Sequence, residues 1–245
     1  MTQFPCIKTV GLSGVLVSFA DVMSQPANNA ALAFRAAAQA ENWPDVLETS
    51  MSLVSVYLAV DLVRADIDDL KTRIEILLAQ RDWYGAGLPE GRKLWHVPTV
   101  YGTDLAPQLE EAAALAGLDP DEAIRQLSST RVRVLTIGYA PGQPYMGELD
   151  PHWNIPRQQG LTKNVPSGAL VAAIRQLIIF TAANPTGWRH VGQTAFKNFR
   201  QTAEQPFALT PGDELEFPSV SRNTLENILA NDHSGNGGAD QELLQ

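Results

Sequence analysis

Gly138–Pro151 reads GYAPGQPYMGELDP, Ile155–Leu170 reads IPRQQGLTKNVPSGAL and Asn184–Thr194 reads NPTGWRHVGQT. Gly and Pro recur every few residues, with short apolar runs between them. Glycine supplies the positive φ of tight corners, and proline presets the first position of a turn. Proline also has no N–H to give to a central ladder, so each one marks a place where strand pairing stops. Writing of this kind predicts a small β-barrel with tight corners, running from Gly138 to about Val220.

The residues leading into this stretch are consistent with it. Leu94–Tyr101 and Arg131–Ile137 read as strands, and Asp104–Ala116 places Leu105, Leu109, Ala112 and Ala116 on one helical face. Asp119-Pro120-Asp121-Glu122 is a helix start, with a capping side chain, a proline at the first position and an acid at the third. Asp119 and Glu122 are therefore assigned to capping rather than to acid–base chemistry.

Residues 1–90 read as a separate α/β lobe. Val15–Phe19 is a short apolar strand, Pro26 opens a helix that continues through the alanine-rich Ala30–Ala40, and Val46–Thr49 and Ser52–Val60 are β-rich. Asp66–Leu78 is an amphipathic helix whose aspartates Asp66, Asp68 and Asp69 sit at the favourable N-terminal end. The order β-α-β-β-α is that of a split βαβ, or ferredoxin-like, unit. Arg81–Lys93 is Gly-rich and polar and reads as a linker, so the second domain is placed at residues 91–220. From Ser221 to the end, NDHSGNGGADQ and its neighbours carry few apolar residues, and disorder is expected over 221–245.

Composition narrows the function. The formal net charge of −9 argues against a nucleic-acid surface, which needs a basic patch. The one cysteine, Cys6, excludes an internal disulfide and suits a reducing cytosol. No charged n-region precedes an apolar core at the start, and runs such as Leu53–Val63 are too short to span a bilayer, so a soluble cytoplasmic protein is expected. His96, His152, His190 and His233 show no metal-ligand spacing. A Walker-type phosphate loop, a G-x-G-x-x-G turn and a G-x-S-x-G elbow are all missing from the sequence.

GYAPGQPYMGELDP resembles the G-[FY]-x-P-G-F-P-Y-L-G-G-L-D-P loop of the allophanate hydrolase subunit 1 family. That family includes the B component of ATP-dependent 5-oxoprolinase and the sporulation-kinase inhibitor proteins, and it is similar to one half of the carboxyltransferase domain of urea carboxylase. The resemblance continues through Ile155-Pro156-Arg157, Val165-Pro166-Ser167-Gly168, Gly187-Trp188, Val191-Gly192-Gln193-Thr194 and Leu209-Thr210-Pro211-Gly212-Asp213. It implies an α+β protein, with a ferredoxin-like N-terminal lobe followed by a cyclophilin-like β-barrel.

The resemblance also implies a subunit of an ATP-dependent amidohydrolase or carboxyltransferase. It would be inactive alone, would pair with a second cyclophilin-like subunit, and would use ATP only in the assembled complex. The first reaction to expect is 5-oxoproline to glutamate, with allophanate or urea chemistry next. The alternatives are a regulator that binds a histidine kinase and a scaffold that has lost its chemistry.

The candidate catalytic residues are Gln176, Arg175 and Tyr145. The candidate substrate-binding residues are Tyr139, Gly142, Arg157, Lys163, Trp188 and His190. Arg and Lys suit a carboxylate or carboxyphosphate-like anion, and Tyr and Gln suit an amide. The competing reading makes Tyr145 and Trp188 half-buried packing and Arg157 and Lys163 solvated rim charges. The chain also departs from the family pattern: Ile174-Arg175-Gln176-Leu177 stands where G-G-Q-T is common, and Gln143 replaces the aromatic of P-G-F.

Overall fold

The structure, a computed structural model, describes residues 3–138 and 140–244. The chain divides into two compact units, Met1–Glu90 and Gly91–Gln245. The smaller contains β1 (Cys6–Val10), β2 (Gly14–Ser18), α1 (Gln25–Ala40), β3 (Val46–Met51), β4 (Ser55–Val60) and α2 (Ile67–Leu78). Its antiparallel sheet has the order β1-β2-β4-β3, so β4 lies between the two strands that α1 connects, the arrangement of a split βαβ. Ser24 caps α1 by accepting the Ala27 N–H, and Asp66 caps α2 by accepting those of Asp68 and Asp69.

Val15, Val17, Phe34, Val56, Leu58, Leu70 and Ile74 form the core of this unit. Strand β1 is not evident from the sequence. Its side chains are half-buried or exposed, so the backbone ladder to β2, rather than an apolar run, defines it. Beside the core, Arg73 forks onto the buried Asp45, with Nη1–Oδ1 at 3.0 Å and Nη2–Oδ2 at 2.5 Å.

The larger unit begins with β5 (Lys93–His96), β6 (Thr99–Tyr101), α3 (Leu109–Leu115), α4 (Pro120–Ser129), β7 (Val132–Ile137) and β8 (Pro144–Gly147). It continues through β9 (Thr162–Val165), β10 (Ala169–Ala173), β11 (Gln176–Ile179), β12 (Asn184–Thr186) and β13 (Arg189–Thr194). It ends with β14 (Glu214–Glu216), α5 (Arg222–Asn231) and β15 (Asp240–Leu243). Nine strands form one curled sheet in the order β15-β5-β14-β7-β8-β11-β10-β13-β6, and β9 and β12 pair separately.

The expected closed, cyclophilin-type barrel is corrected here to an open half-barrel. The expected strand Leu94–Tyr101 breaks at Pro98, which has no N–H to donate. Its first half pairs with β14 near one margin of the sheet, and its second half pairs with β13 at the other. One short segment serving both margins forces the sheet to curl. Only an isolated bridge between Thr99 and Ser219 spans that margin, and no ladder joins β15 to β6 among the described residues.

Strand β10 is buried on both faces. Leu170 and Ala172 face the main core, where Ala112, Leu127, Val134, Met146 and Phe217 pack. Ala169, Val171 and Ala173 face a second cluster with Ile178, Phe180 and Trp188. The expected helix from Asp104 starts only at Leu109, past Pro107, and Asp119 caps α4 through the Glu122 N–H at 2.8 Å.

The tail expected to be disordered is also corrected. It forms α5, anchored by the buried Leu225 against Val100 and Ala195, and then β15, which adds to β5. All four side chains of β15 are exposed, so main-chain hydrogen bonds rather than apolar burial order it. Composition cannot show that.

Two buried carboxylates make this framework testable. Asp213 accepts the Lys93 N–H at 2.8 Å and the Thr210 N–H at 2.9 Å. Asp213→Ala leaves both donors without a partner and is expected to cost about 2–6 kcal/mol in a urea titration, at about 1–3 kcal/mol per orphaned group. A loss below about 0.5 kcal/mol would be the surface-substitution value and would remove Asp213 from the fold's framework. The Arg73 guanidinium, through its hydrogen bonds, holds the Asp45 carboxyl below the usual range. The stability this pair contributes is therefore fully present above the unfolded value of about 4 and lost as pH falls through the lower folded value. Asp45→Asn is expected to flatten the acid limb of the stability–pH curve below about pH 4; an unchanged limb would contradict the linkage.

Candidate functional site

The Gly/Pro loop, β8, β11 and the β12–β13 turn enclose a cleft of about 430 Å³. Tyr145 on β8 and Trp188 meet edge to face, with ring centroids 6.3 Å apart and planes at 81°. A Cβ at Gly138 would lie 2.2 Å from the Tyr145 ring, so only glycine lets the ring settle over the backbone there. Gly142 has φ +72, and a Cβ there would meet Phe199, Phe207 and Asn198 at 3.1–3.3 Å. In the structure it packs against these side chains beneath the loop.

Asn198, fully buried, donates to the Gly142 carbonyl and accepts the Leu209 N–H at 2.7 Å. The Gly/Pro loop is thus held from below by a side chain far along the sequence. On the opposite wall, Thr186 Oγ1 accepts the Trp188 N–H at 3.0 Å and fixes the turn that presents the indole.

Tyr145, Arg157 and Trp188 of the sequence-derived set line this cleft, together with Gln143, Asn184 and Thr186. Arg157 is the one charged residue of the lining, is exposed, and has no carboxylate partner among the described residues. Ala140, Leu161, Ile178, Phe180 and Pro185 supply apolar surface. The remaining lining groups are a phenol, an indole, two carboxamides and a hydroxyl. That set can grip an anion and an amide, but among the described residues it includes no carboxylate, imidazole or thiol to move a proton near neutral pH.

The other sequence-derived residues lie elsewhere. Lys163 is exposed on β9 and does not line the cleft. His190 is buried on β13 and its Nε2 has no hydrogen-bond partner. Burial pushes its imidazole below the ordinary value, so it is neutral at pH 7. Tyr139 lies outside the described residues.

Gln176 and Arg175 belong to the β10–β11 hairpin. Ile174 and Arg175 form its turn, both left-handed, with φ 45 and 63. The turn keeps the conformation that two glycines would adopt freely while carrying Ile and Arg. It is clamped by Ile174 N–H to Ile155 O at 2.8 Å, Arg175 N–H to Trp153 O at 3.0 Å and Leu149 N–H to Arg175 O at 2.8 Å. The guanidinium adds a bond from Nε to Leu149 O at 2.9 Å and pairs with Glu148 at 3.5 Å.

Sequence reading does not single out Asn184 or Thr186 as candidates, although both lie in the NPTGWRH segment that decides the fold. Gln143 is visible there only as a departure from the family pattern.

Among the described residues no group of three or more His, Cys, Asp and Glu side chains is placed to hold a metal ion, and no helix is long and apolar enough to cross a membrane. Among the described lining residues a single guanidinium and no glycine are present, which does not fit a triphosphate, so no ATP step is assigned to this cleft.

A curled half-barrel bearing a small polar cleft, preceded in the chain by a split-βαβ lobe, defines a carboxyltransferase-type domain. The chain belongs to the family described as carboxyltransferase domain, subdomain C and D, whose model matches residues 5–209. It is 24% identical over 225 residues to the B component of the 5-oxoprolinase of Bacillus subtilis (strain 168), covering 88% of this chain and 92% of that relative. The crystal structure of TTHA0988 aligns with TM-score 0.72 at 26% identity over 85% of this chain; the chain spans 40% of that longer protein. The Kluyveromyces lactis urea amidolyase shares the fold, with TM-score 0.73 at 18% identity, over 97% of this chain and 16% of the larger one.

A left-handed, β-branched Ile174 predicts a specific gain. Left-handed backbone costs an L-residue about 1–2 kcal/mol, and Asn tolerates it better. Because Ile174 is exposed, Ile174→Asn sacrifices little packing and is expected to stabilise the chain by about 1 kcal/mol in chemical denaturation. A lower midpoint would show that the isoleucine side chain contributes more than its backbone strain costs.

Proposed function

We propose that this chain is the substrate-binding half of a two-subunit, ATP-dependent amidohydrolase of the 5-oxoprolinase type, which opens 5-oxoproline to glutamate. The observation that carries this reading is the cleft's chemistry. It combines one uncompensated guanidinium, two carboxamides and aromatic walls in a protein of net charge −9, with no proton-transfer group near neutral pH among the described lining residues. Arg157 takes the ligand carboxylate, Tyr145 and Trp188 flank the ring, and Gln143 and Asn184 face the amide. Ring opening additionally needs an activated amide carbonyl and a base. Those groups, together with ATP, are assigned to the partner subunit.

Gln176 and Arg175 act in this reading through the hairpin they close against residues 148–155, and Lys163 and His190 are given no contact with substrate. The relatives named as the B component of 5-oxoprolinase support the enzyme-subunit reading over kinase binding. Allophanate or urea chemistry is the neighbouring option within the same class. It differs in lacking the ring that the aromatic walls would hold.

The test is to isolate the tagged chain with its native partner and follow ATP-dependent glutamate formation from 5-oxoproline. Arg157→Ala is expected to raise KM for 5-oxoproline by about 10- to 100-fold, the loss of one charge-assisted hydrogen bond, with the complex still assembled. A complex that turns over no 5-oxoproline would overturn the reaction, and an unchanged KM would overturn the role of Arg157.

A further inference from the structure

Gln143 stands where the Gly/Pro loop enters β8, and it lines the cleft. Its backbone is fully engaged: the N–H donates to Ala140 O at 2.9 Å and the carbonyl accepts the Gly138 N–H at 2.7 Å. Its side chain is not. Oε1 is shut off from water and has no hydrogen-bond partner among the described residues. A desolvated acceptor without a donor is destabilising, and it persists where a ligand supplies the missing bond. Elsewhere in the cleft the polar lining is partly spent, since Thr186 accepts from Trp188 and Asn184 Nδ2 donates to Ala182 O.

Resting on the reading above, we infer that Gln143 is the specificity-determining residue of the cleft and that its carboxamide reads the cis-amide edge of a lactam. A primary carboxamide presents one acceptor and two donors on a flat group. A lactam ring holds its amide cis, so its N–H and C=O lie side by side on one edge. A linear secondary amide is trans and directs them to opposite sides. Rotation about the Gln143 side-chain torsions brings Oε1 to the ligand N–H and Nε2 to the ligand C=O, closing two parallel hydrogen bonds. A ring amide can make both and a trans secondary amide cannot; a primary amide or a urea, which also carries an N–H beside its C=O, lacks the ring that Tyr145 and Trp188 flank. Arg157, the one cation among the described lining residues, takes the carboxylate and fixes which way the ring lies. An aromatic residue at position 143, common in the family pattern, offers neither a donor nor an acceptor at this place.

The experiment is calorimetric titration of the purified chain with 5-oxoproline and with 5-oxotetrahydrofuran-2-carboxylate, in which oxygen replaces the ring N–H. The wild-type chain is expected to prefer the lactam by at least about tenfold, the difference one unmatched hydrogen bond makes. Gln143→Met, of similar volume and no hydrogen-bonding capacity, is expected to bind the two within roughly twofold of each other. Its melting temperature is expected not to fall, because no hydrogen bond of the free protein is lost. A preserved tenfold preference in Gln143→Met, or a melting temperature lowered by several degrees, would overturn the inference while leaving the proposed function standing. Arg157→Ala separates the two readings: if it binds both compounds as the wild type does, the cleft is not the carboxylate site. A wild-type chain that binds neither compound would remove both readings.

Discussion

A carboxylate with 2% of its surface exposed, Asp213, registers three strands of the curled sheet at one corner. It accepts the Lys93 N–H at the start of β5 and the Thr210 N–H in the turn before β14. Its own carbonyl accepts the Val134 N–H from β7 at 2.8 Å, and Gly212 returns a bond to Val134 O at 2.8 Å. Fixing β5 against β14 fixes where Pro98 falls, and Pro98 sends the continuing chain to the far margin of the sheet as β6. The curl is therefore a consequence of one registered corner and one missing N–H. Burial pushes the Asp213 carboxyl up while its backbone donors pull it down, and the net displacement is upward. Removing the carboxylate relieves the desolvation cost of that burial but orphans the Lys93 and Thr210 N–H donors, which is why it is expected to be expensive.

The curl also explains where the cleft lies. Strands β10 and β11 are buried on both faces, with helices α3 and α4 contributing to the core on one side and the smaller aromatic cluster on the other. Cross-strand pairing of Tyr145 with Ile178 places the phenol on the second face, beside Trp188. The Gly/Pro loop then has one open route, over Gly138, where a Cβ would collide with Tyr145, and over Gly142, whose φ of +72 favours glycine and where a Cβ would crowd the Phe199–Phe207 pair. Asn198 holds that route closed from beneath. The cleft is thus walled by elements that the sheet and its loops place independently.

Much of this is legible in the sequence because its physical cause is local. Gly and Pro spacing marks the corners, Asp66 and Asp119 mark helix starts, and the alternation in β7 marks a strand. Features set by distant partners are not legible. Nothing near Pro98 says that the two halves of its strand serve opposite margins. Nothing in NDHSGNGGADQEL says that β5 offers it an unpaired edge. The same divide runs through the site. Tyr145, Arg157 and Trp188 line the cleft and are carried by motif. Whether Arg175 faces a ligand or the 148–155 segment is decided by cross-strand register and by a left-handed turn, and neither shows in residue types.

The departures from the family pattern have different physical weights. At positions 174 and 175 the backbone retains the left-handed turn, so Ile and Arg add strain and a clamp but leave the path of the chain unchanged. That hairpin turn does not line the cleft, and the substitution does not by itself narrow the site. At position 143 the backbone is likewise held in place, bonded at both its N–H and its carbonyl, but the side chain faces the cleft. Replacing an aromatic there with a carboxamide adds a donor and an acceptor to the lining without changing its frame. A chain that had lost all function would gain stability by removing a buried, unpartnered acceptor, since an apolar group of similar volume costs nothing in hydrogen bonds. The retention of Gln143 beside an uncompensated arginine is the feature that an abandoned scaffold does not account for.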